Sequence, residues 1–281
     1  MPWLPLRRAR RIATAAALAV AAGCSGTAVA KAAPPVWEWG LGAGVLRAPD
    51  YRGADVNHGY LLPIVYLRYR GEFLRLDREG LRALLFDRDR LDLDLSLDAH
   101  PALRTDRNPA RLGMPRLRPT LELGPELSYR VAGAPGPDAK ALYARVSLRA
   151  VYSVGDRFLP VHRGWNLTPN LRLQWPSPAT GWDVRVTVGP MFGDRQYHDY
   201  FYGVPPEQAL PQRPAYRASA GYSGLMSTVS ASRRFGDWWV GAFVRADALR
   251  GAAFEDSPLV RRRSFVSAGV GFAYIFGRSR P

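Results

Sequence analysis

From Gly181 to Phe192 the chain alternates without a break. Trp182, Val184, Val186, Val188, Pro190 and Phe192 take one parity; Asp183, Arg185, Thr187, Gly189 and Met191 take the other. Successive side chains of a strand point to opposite faces, so this is a strand with one oily and one wet surface. Its roughly eleven residues, at about 3.3 Å each and tilted by about 40°, cross an apolar slab about 25 Å thick. A soluble two-sheet sandwich would carry the same alternation. How the pattern recurs, and how its repeats are joined, separates the two.

Strand-like segments recur at Trp37–Val45, Tyr60–Tyr69, Glu72–Leu76, Leu81–Phe86, Leu91–His100, Thr120–Arg130, Leu142–Val154, Leu167–Trp175, Gly181–Phe192, Ala218–Arg234, Trp238–Leu249 and Ser264–Phe276. Most alternate; Leu91, Leu93, Leu95 and Leu97 against Asp92, Asp94, Ser96 and Asp98 is the cleanest case. Glu72–Leu76 and Leu81–Phe86 are short and weak. The even-numbered gaps are tight (Arg70-Gly71, Asp87–Arg90, Ala132–Ala139, Pro176–Thr180, Phe235–Asp237). The odd-numbered gaps are longer (Ala48–Gly59, Pro101–Pro119, Gly155–Asn166, Gly193–Arg217, Arg250–Arg263), with Asp77–Gly80 the exception. Short turns at one end and long loops at the other mark an up-and-down membrane barrel. Greek-key links have no reason to sort loop lengths by parity. The expectation is therefore an all-β fold: a transmembrane antiparallel up-and-down β-barrel of about 12 strands, 10 at the lower count. Its charged faces turn inward, and it closes because lipid satisfies no backbone group.

Residues 1–30 read as an export signal. Arg7, Arg8, Arg10 and Arg11 form a charged start, Ile12–Gly23 a short apolar run, and Ala28-Val29-Ala30 a small-x-small cleavage pattern. The alternative is lipidation at Cys24, the sole cysteine, although Ala21 stands where a lipoprotein box normally has Leu. Residues 31–281 then form the barrel. No later stretch is long and apolar enough to cross a membrane as a helix. The formal charge of +15 is almost all arginine, with only Lys31 and Lys140 as lysines. An exported protein rarely meets nucleic acid, so lipopolysaccharide phosphates or anionic wall polymers are the expected counter-charges.

The run GPMFGD at Gly189–Asp194 and its continuation YHDYFYGV at Tyr197–Val204 resemble the MipA/OmpV family of outer-membrane proteins. Gly40–Gly59 with Leu62-Pro63, Ala218–Gly224 and Gly269–Phe276 are similar to the family as well, while residues 86–118 carry no part of the likeness. The resemblance implies a barrel in the cell outer membrane. It also implies a non-enzymatic scaffold linking a murein lytic transglycosylase to a bifunctional penicillin-binding protein, with osmotic-response or adhesion roles in other members. A small pore is the alternative function, and an outer-membrane lipid hydrolase stands last.

Few residues suggest chemistry. A hydrolase needs a nucleophile beside a base, and none of His58, His100, His162 and His198 sits one or two residues from a strand serine. His198-Asp199 is the least implausible acid–base pair. The histidines show no metal-ligand spacing, and Asp50, Asp55, Asp106 and Asp156 are too dispersed for a calcium loop. No catalytic, metal or cofactor site is expected. Tyr197, Tyr200, Phe201 and Tyr202 form the one aromatic cluster, read as a membrane-interface belt or as a partner patch. Arg261, Arg262 and Arg263 read as lipopolysaccharide-phosphate contacts or as a solvated charge run. The prolines Pro205, Pro206, Pro211 and Pro214 predict an exposed, non-helical tip for the 193–217 loop, open to protease at Arg213 and Arg217.

Overall fold

The protein is described from a computed structural model covering residues 36–70, 74–77, 80–88, 90–100, 105–136, 139–154 and 159–279. The export signal expected at residues 1–30, with its Ala30 and Cys24 alternatives, lies outside these residues. So do Glu72 and Phe73 of the weak third segment.

Twelve strands are found among the described residues: β1 (Trp37–Pro49), β2 (Asn57–Arg70), β3 (Leu74–Asp77), β4 (Gly80–Arg88), β5 (Leu91–His100), β6 (Thr120–Gly133), β7 (Ala141–Val154), β8 (Pro160–Ser177), β9 (Trp182–Gly193), β10 (Gly221–Phe235), β11 (Trp238–Ala248) and β12 (Ser264–Arg278). Ten of them run for ten residues or more; β3 has four and β4 nine. The two segments read as weak are thus the two short ones. Each strand pairs antiparallel with its neighbours in sequence, and β1 pairs with β12 from Arg47↔Ala268 to Glu38↔Arg278, closing the ring.

Inside and outside are exchanged relative to a soluble protein. On β6, Leu121, Leu123, Leu127 and Tyr129 are exposed, while Glu122, Glu126 and Ser128 are buried. On β12, Val266, Val270, Phe272, Tyr274 and Phe276 all face out. A surface this apolar is stable only against lipid, whereas the polar parity finds partners in the lumen. The aromatic belt lies at the turn end, on the strands themselves. Trp37, Trp175 and Trp238 are exposed there, Trp39 meets Phe276 edge-on at 4.2 Å, and Trp238 meets Tyr274 at 5.1 Å. Amphipathic rings of this kind settle at the headgroup level.

Two local readings are corrected. The gap Gly155–Asn166 is mostly strand, because β8 starts at Pro160 and runs eighteen residues with Val161 and Trp165 outward. The loop after β9 contains a helix, α1 (Arg195–Tyr202), lying wholly before the prolines. Its signal is Asp194, whose carboxylate caps the helix by accepting from the Tyr197 amide at 2.8 Å.

Candidate functional site

Two places gather polar chemistry: the lumen, and a cap made by the long loops at the end opposite the turns.

In the lumen, one arc is charged. Glu126 on β6 is 2% exposed and is held by Arg145 and by Arg149 of β7, the latter at 3.1 Å. Arg149 also donates to Ser96 on β5 at 3.0 Å. Toward the loop end, Glu122 accepts from Asn166 of β8 at 2.6 Å and meets His100 at 3.3 Å. On β9, Arg185 pairs with Asp183 at 2.8 Å. These partners lie on the inward parity of β5 to β9, where alternation alone places them. A buried carboxylate shared by two guanidiniums orders both arginines.

The opposite arc, on β11, β12, β1 and β2, is apolar and rich in glycine. Tyr66, Ala273 and Ile275 are buried, with Ile64 and Trp239 packed against them. Gly40, Gly42 and Gly44 alternate along β1, and a Cβ on Gly42 would overlap the carbonyl oxygen of Phe272. The closing seam therefore depends on glycine for its close strand approach. A cavity of about 910 Å³ is lined by inward residues of both arcs and also takes in Val45, Val65 and Val270 on the outer side of the glycine-rich wall.

The cap packs a core of its own. Phe254, Leu249 and Leu259 are fully buried with Tyr51, Tyr202, Val204 and Leu117, which come from four different loops. Tyr202 stacks flat on Phe254 at 3.7 Å. Polar ties cross between loops: Tyr51 donates to the Leu259 carbonyl at 2.7 Å, Tyr202 to the Arg52 carbonyl at 3.1 Å, and Ser257 to the Tyr202 carbonyl at 2.7 Å. Burial pushes the Tyr202 phenol up to about 12 and raises Tyr51 and Tyr197 as well, so all three stay protonated. The loop after β5 and the loop after β11 spring from opposite sides of a twelve-strand ring. Packing into one core carries them across the mouth.

Each residue singled out in the sequence has a definite place. Tyr197 and Tyr202 are buried in the cap, and Tyr200 and Phe201 are half-buried beside them. The cluster thus lies inside the cap and not along the girdle of strand aromatics, because its helix folds back over the lumen. Arg261, Arg262 and Arg263 are exposed; the backbone amides of the first two donate to the Gly53 carbonyl at 2.8 and 2.9 Å, and Arg263 meets Glu255 at 2.6 Å. The expected exposed tip fails at Arg213, which is 4% exposed. Its guanidinium donates to the carbonyls of Ala110 at 3.1 Å, Leu112 at 2.9 Å and Gln208 at 2.7 Å. Arg217 does remain exposed.

His198 and Asp199 take separate partners. Asp199 accepts from the Ala218 amide at 2.6 Å. His198 contacts the Ser219 carbonyl through Nδ1 and Ser223 Oγ through Nε2, each at 2.6 Å. The first contact makes Nδ1 the donor, and Nε2 then accepts from the Ser223 hydroxyl. Burial lowers the pKa of His198, which keeps the ring neutral. A serine beside a neutral histidine has the makings of a nucleophile pair, yet both residues are fully buried and neither lines the lumen cavity. The bond ties α1 to a bulge in β10, where pairing shifts between Tyr222 and Gly224. Sequence offered no sign of it, since the partners are 25 residues apart. Asp50 was likewise unforeseen. It is buried at the rim, held by His58 at 2.6 Å and by Asn108 at 2.8 Å.

Comparison with known proteins bears on this architecture. A family model described as MltA-interacting protein MipA matches residues 41–276. The chain belongs to the MipA family. The match takes in most of β1 through most of β12, including Gly42 and Gly44 of the seam and the whole cap. Among solved structures, this MipA-family chain is similar to an outer membrane channel of the COG4313 group from Pseudomonas putida F1, at 13% identity, covering 89% of this chain and all of that one, with a TM-score of 0.38. It is also similar to the CymD monoaromatic hydrocarbon channel, at 12% identity over 88% of this chain and 90% of that one, with a TM-score of 0.37. No curated protein sequence matches.

Proposed function

We propose that this MipA-family protein is an exported, non-enzymatic barrel of the cell outer membrane that serves as a docking scaffold for murein enzymes at its turn end. The family's description names an interaction with MltA, and a lytic transglycosylase is accordingly the partner proposed here, with a penicillin-binding protein as the second enzyme brought to it. The observation that carries the non-pore half of this reading is the cap, a packed core drawn from four loops across the outer mouth. Long loops of such barrels face outward and tight turns face the periplasm, so murein enzymes would meet turns such as those at 178–181 and 236–237. On the outer side, lipopolysaccharide phosphates are the proposed contacts of Arg261, Arg262 and Arg263, all three exposed in the loop after β11.

A small pore is the second reading, and the lumen cavity favours it. Planar-bilayer recording separates the two. The scaffold reading expects at most brief, small openings from the refolded barrel, together with retention of a lytic transglycosylase from a periplasmic extract. Steady ohmic conductance with no retained murein enzyme would reverse the ranking.

A further inference from the structure

The barrel wall is thin on strands beside β2. Tyr69 stands opposite Leu76, Leu76 opposite Leu81 and Leu81 opposite Leu97, the last rung that runs unbroken across β2, β3, β4 and β5. Toward the cap, β3 and β4 end at Asp77 and Gly80, while β2 continues back to Asn57. One edge of β2 pairs with β1 at membrane depth, from Leu61↔Val45 to Arg68↔Glu38. The other edge has no ladder partner over residues 61–68 among the described residues. Exposure marks the same break. Leu61 at 78% and Val65 at 62% are the most exposed large hydrophobics on any strand among the described residues, ahead of Val266 at 57%. The lumen cavity also reaches the wall here. On β8 it touches Thr168, Asn170 and Arg172, a single parity, as a closed wall requires. On β2 it touches Ile64, Val65, Tyr66 and Leu67 in succession, and on β5 it touches Leu97 and Asp98. Neither run holds a glycine that would bare the backbone. The two strands flanking the short hairpin thus show the cavity both of their faces, at and just above the last rung.

We propose that this break is a lateral port, through which a small uncharged molecule, apolar apart from a hydroxyl or carbonyl, passes between the lumen and the hydrocarbon of the bilayer. An open strand edge is tolerated at membrane depth only where it lines a water-filled space, and the lumen supplies that space. The jambs are apolar, with Val65 and Leu67 on β2 and Leu97 on β5. Ile64 and Tyr66 carry the apolar surface on into the lumen. Edge amides and carbonyls of β2 hydrogen-bond the passenger's one polar group, whereas a charged passenger could not leave for hydrocarbon. The cap spans the outer mouth, which makes the wall the lumen's route to the outer leaflet. Pro63 lies on the same strand and has no N–H to offer, a feature that discourages pairing with a strand of a second copy. This port is independent of the scaffold reading and stands or falls without it.

The test has two arms on the unaltered barrel in lipid nanodiscs. In hydrogen exchange, the faster half of the amides in residues 61–68 is expected to exchange about tenfold faster than those of residues 227–232 on β10, a stretch paired on both edges. In photolabelling, a trifluoromethyl phenyl diazirine carrying a benzylic alcohol is loaded into the bilayer. Its label is expected on inward Ile64, Tyr66 or Phe243 as well as on outward Leu171. Val65→Trp, or Leu97→Trp should the first not refold, narrows the port and should remove most of the inward label while Leu171 keeps its own. Residues 61–68 as protected as β10, whether in a monomer or in an edge-paired dimer, would overturn the proposal. So would label confined to outward side chains, or inward label undiminished in a folded Trp variant, which would mean entry from the turn end. The exchange and wild-type labelling readouts hold whether or not any variant folds.

Discussion

The two arcs of the barrel solve the same problem with different chemistry. From β5 to β9 the inward side chains are polar and often charged, and neighbouring strands are cross-linked by shared carboxylates such as Glu126. From β11 through β12 to β1 and β2 the inward positions are mostly glycine or apolar, with Arg245 and Asp247 on β11 and Glu38 on β1 as charged exceptions, and the strands lie close because little stands between them. The first arc tolerates spacing and depends on ion pairs. The second tolerates ion-pair loss and depends on the absence of side chains. Substitutions should therefore act very differently on the two sides.

The sharpest break is expected at the seam. Gly42→Val should leave no measurable folded population in lipid vesicles, because its Cβ meets backbone and nothing flexible can yield. Gly59→Ala, with nothing within 4 Å, is the control and should shift stability by less than about 0.5 kcal/mol. A heat-modifiable gel shift reads both. Normal folding of Gly42→Val would mean the seam is wider than described.

Next in size is the charged arc. Glu126→Ala leaves Arg145 and Arg149 facing each other and should cost about 3–5 kcal/mol in urea titration. A cost below about 1 kcal/mol would show that water, not Glu126, satisfies those arginines. The smallest contrast tests the two faces of one strand. Val186→Arg on the lipid side should cost about 2–4 kcal/mol. Thr187→Glu, placed before Arg172, should cost less than about 1 kcal/mol. Equal costs for the two would undo the assignment of inside and outside on β9.

These contrasts follow from features read with unequal ease. The strands and their facing were legible, because alternation is local and lipid enforces it residue by residue. Loop parity was legible too, except after β7, where Val161 and Trp165 continue the strand past the point at which the polar pattern was taken to begin. The charged arc was visible as dense Asp, Glu and Arg, though not which partner each would choose. The cap was not legible. Its contacts join Tyr51 to Leu259 and Arg213 to Ala110, over 208 and 103 residues, and no periodicity encodes such meetings. The tyrosines of α1 were noticed for their chemistry but misplaced. An aromatic cluster suits a headgroup interface as well as a small core, and only tertiary packing decides between them. The helix itself was announced by Asp194, and the prolines that follow it drew attention away.

The position of the cap around the ring bears on timing. The loop after β1 and the loop after β11 flank the seam, and they are clasped above it by Tyr51 on Leu259, by Arg52 on Asp247 at 3.0 Å, and by the Gly53 carbonyl on the amides of Arg261 and Arg262. Contacts of such long sequence separation form late, after the first and last strands have met. Once made, they hold the loop ends of those strands together outside the bilayer, where neither lipid exchange nor thinning reaches them. Unzipping from that end must first break the clasp. That step takes place in water, and a comparison of membrane-spanning strands alone would leave it out.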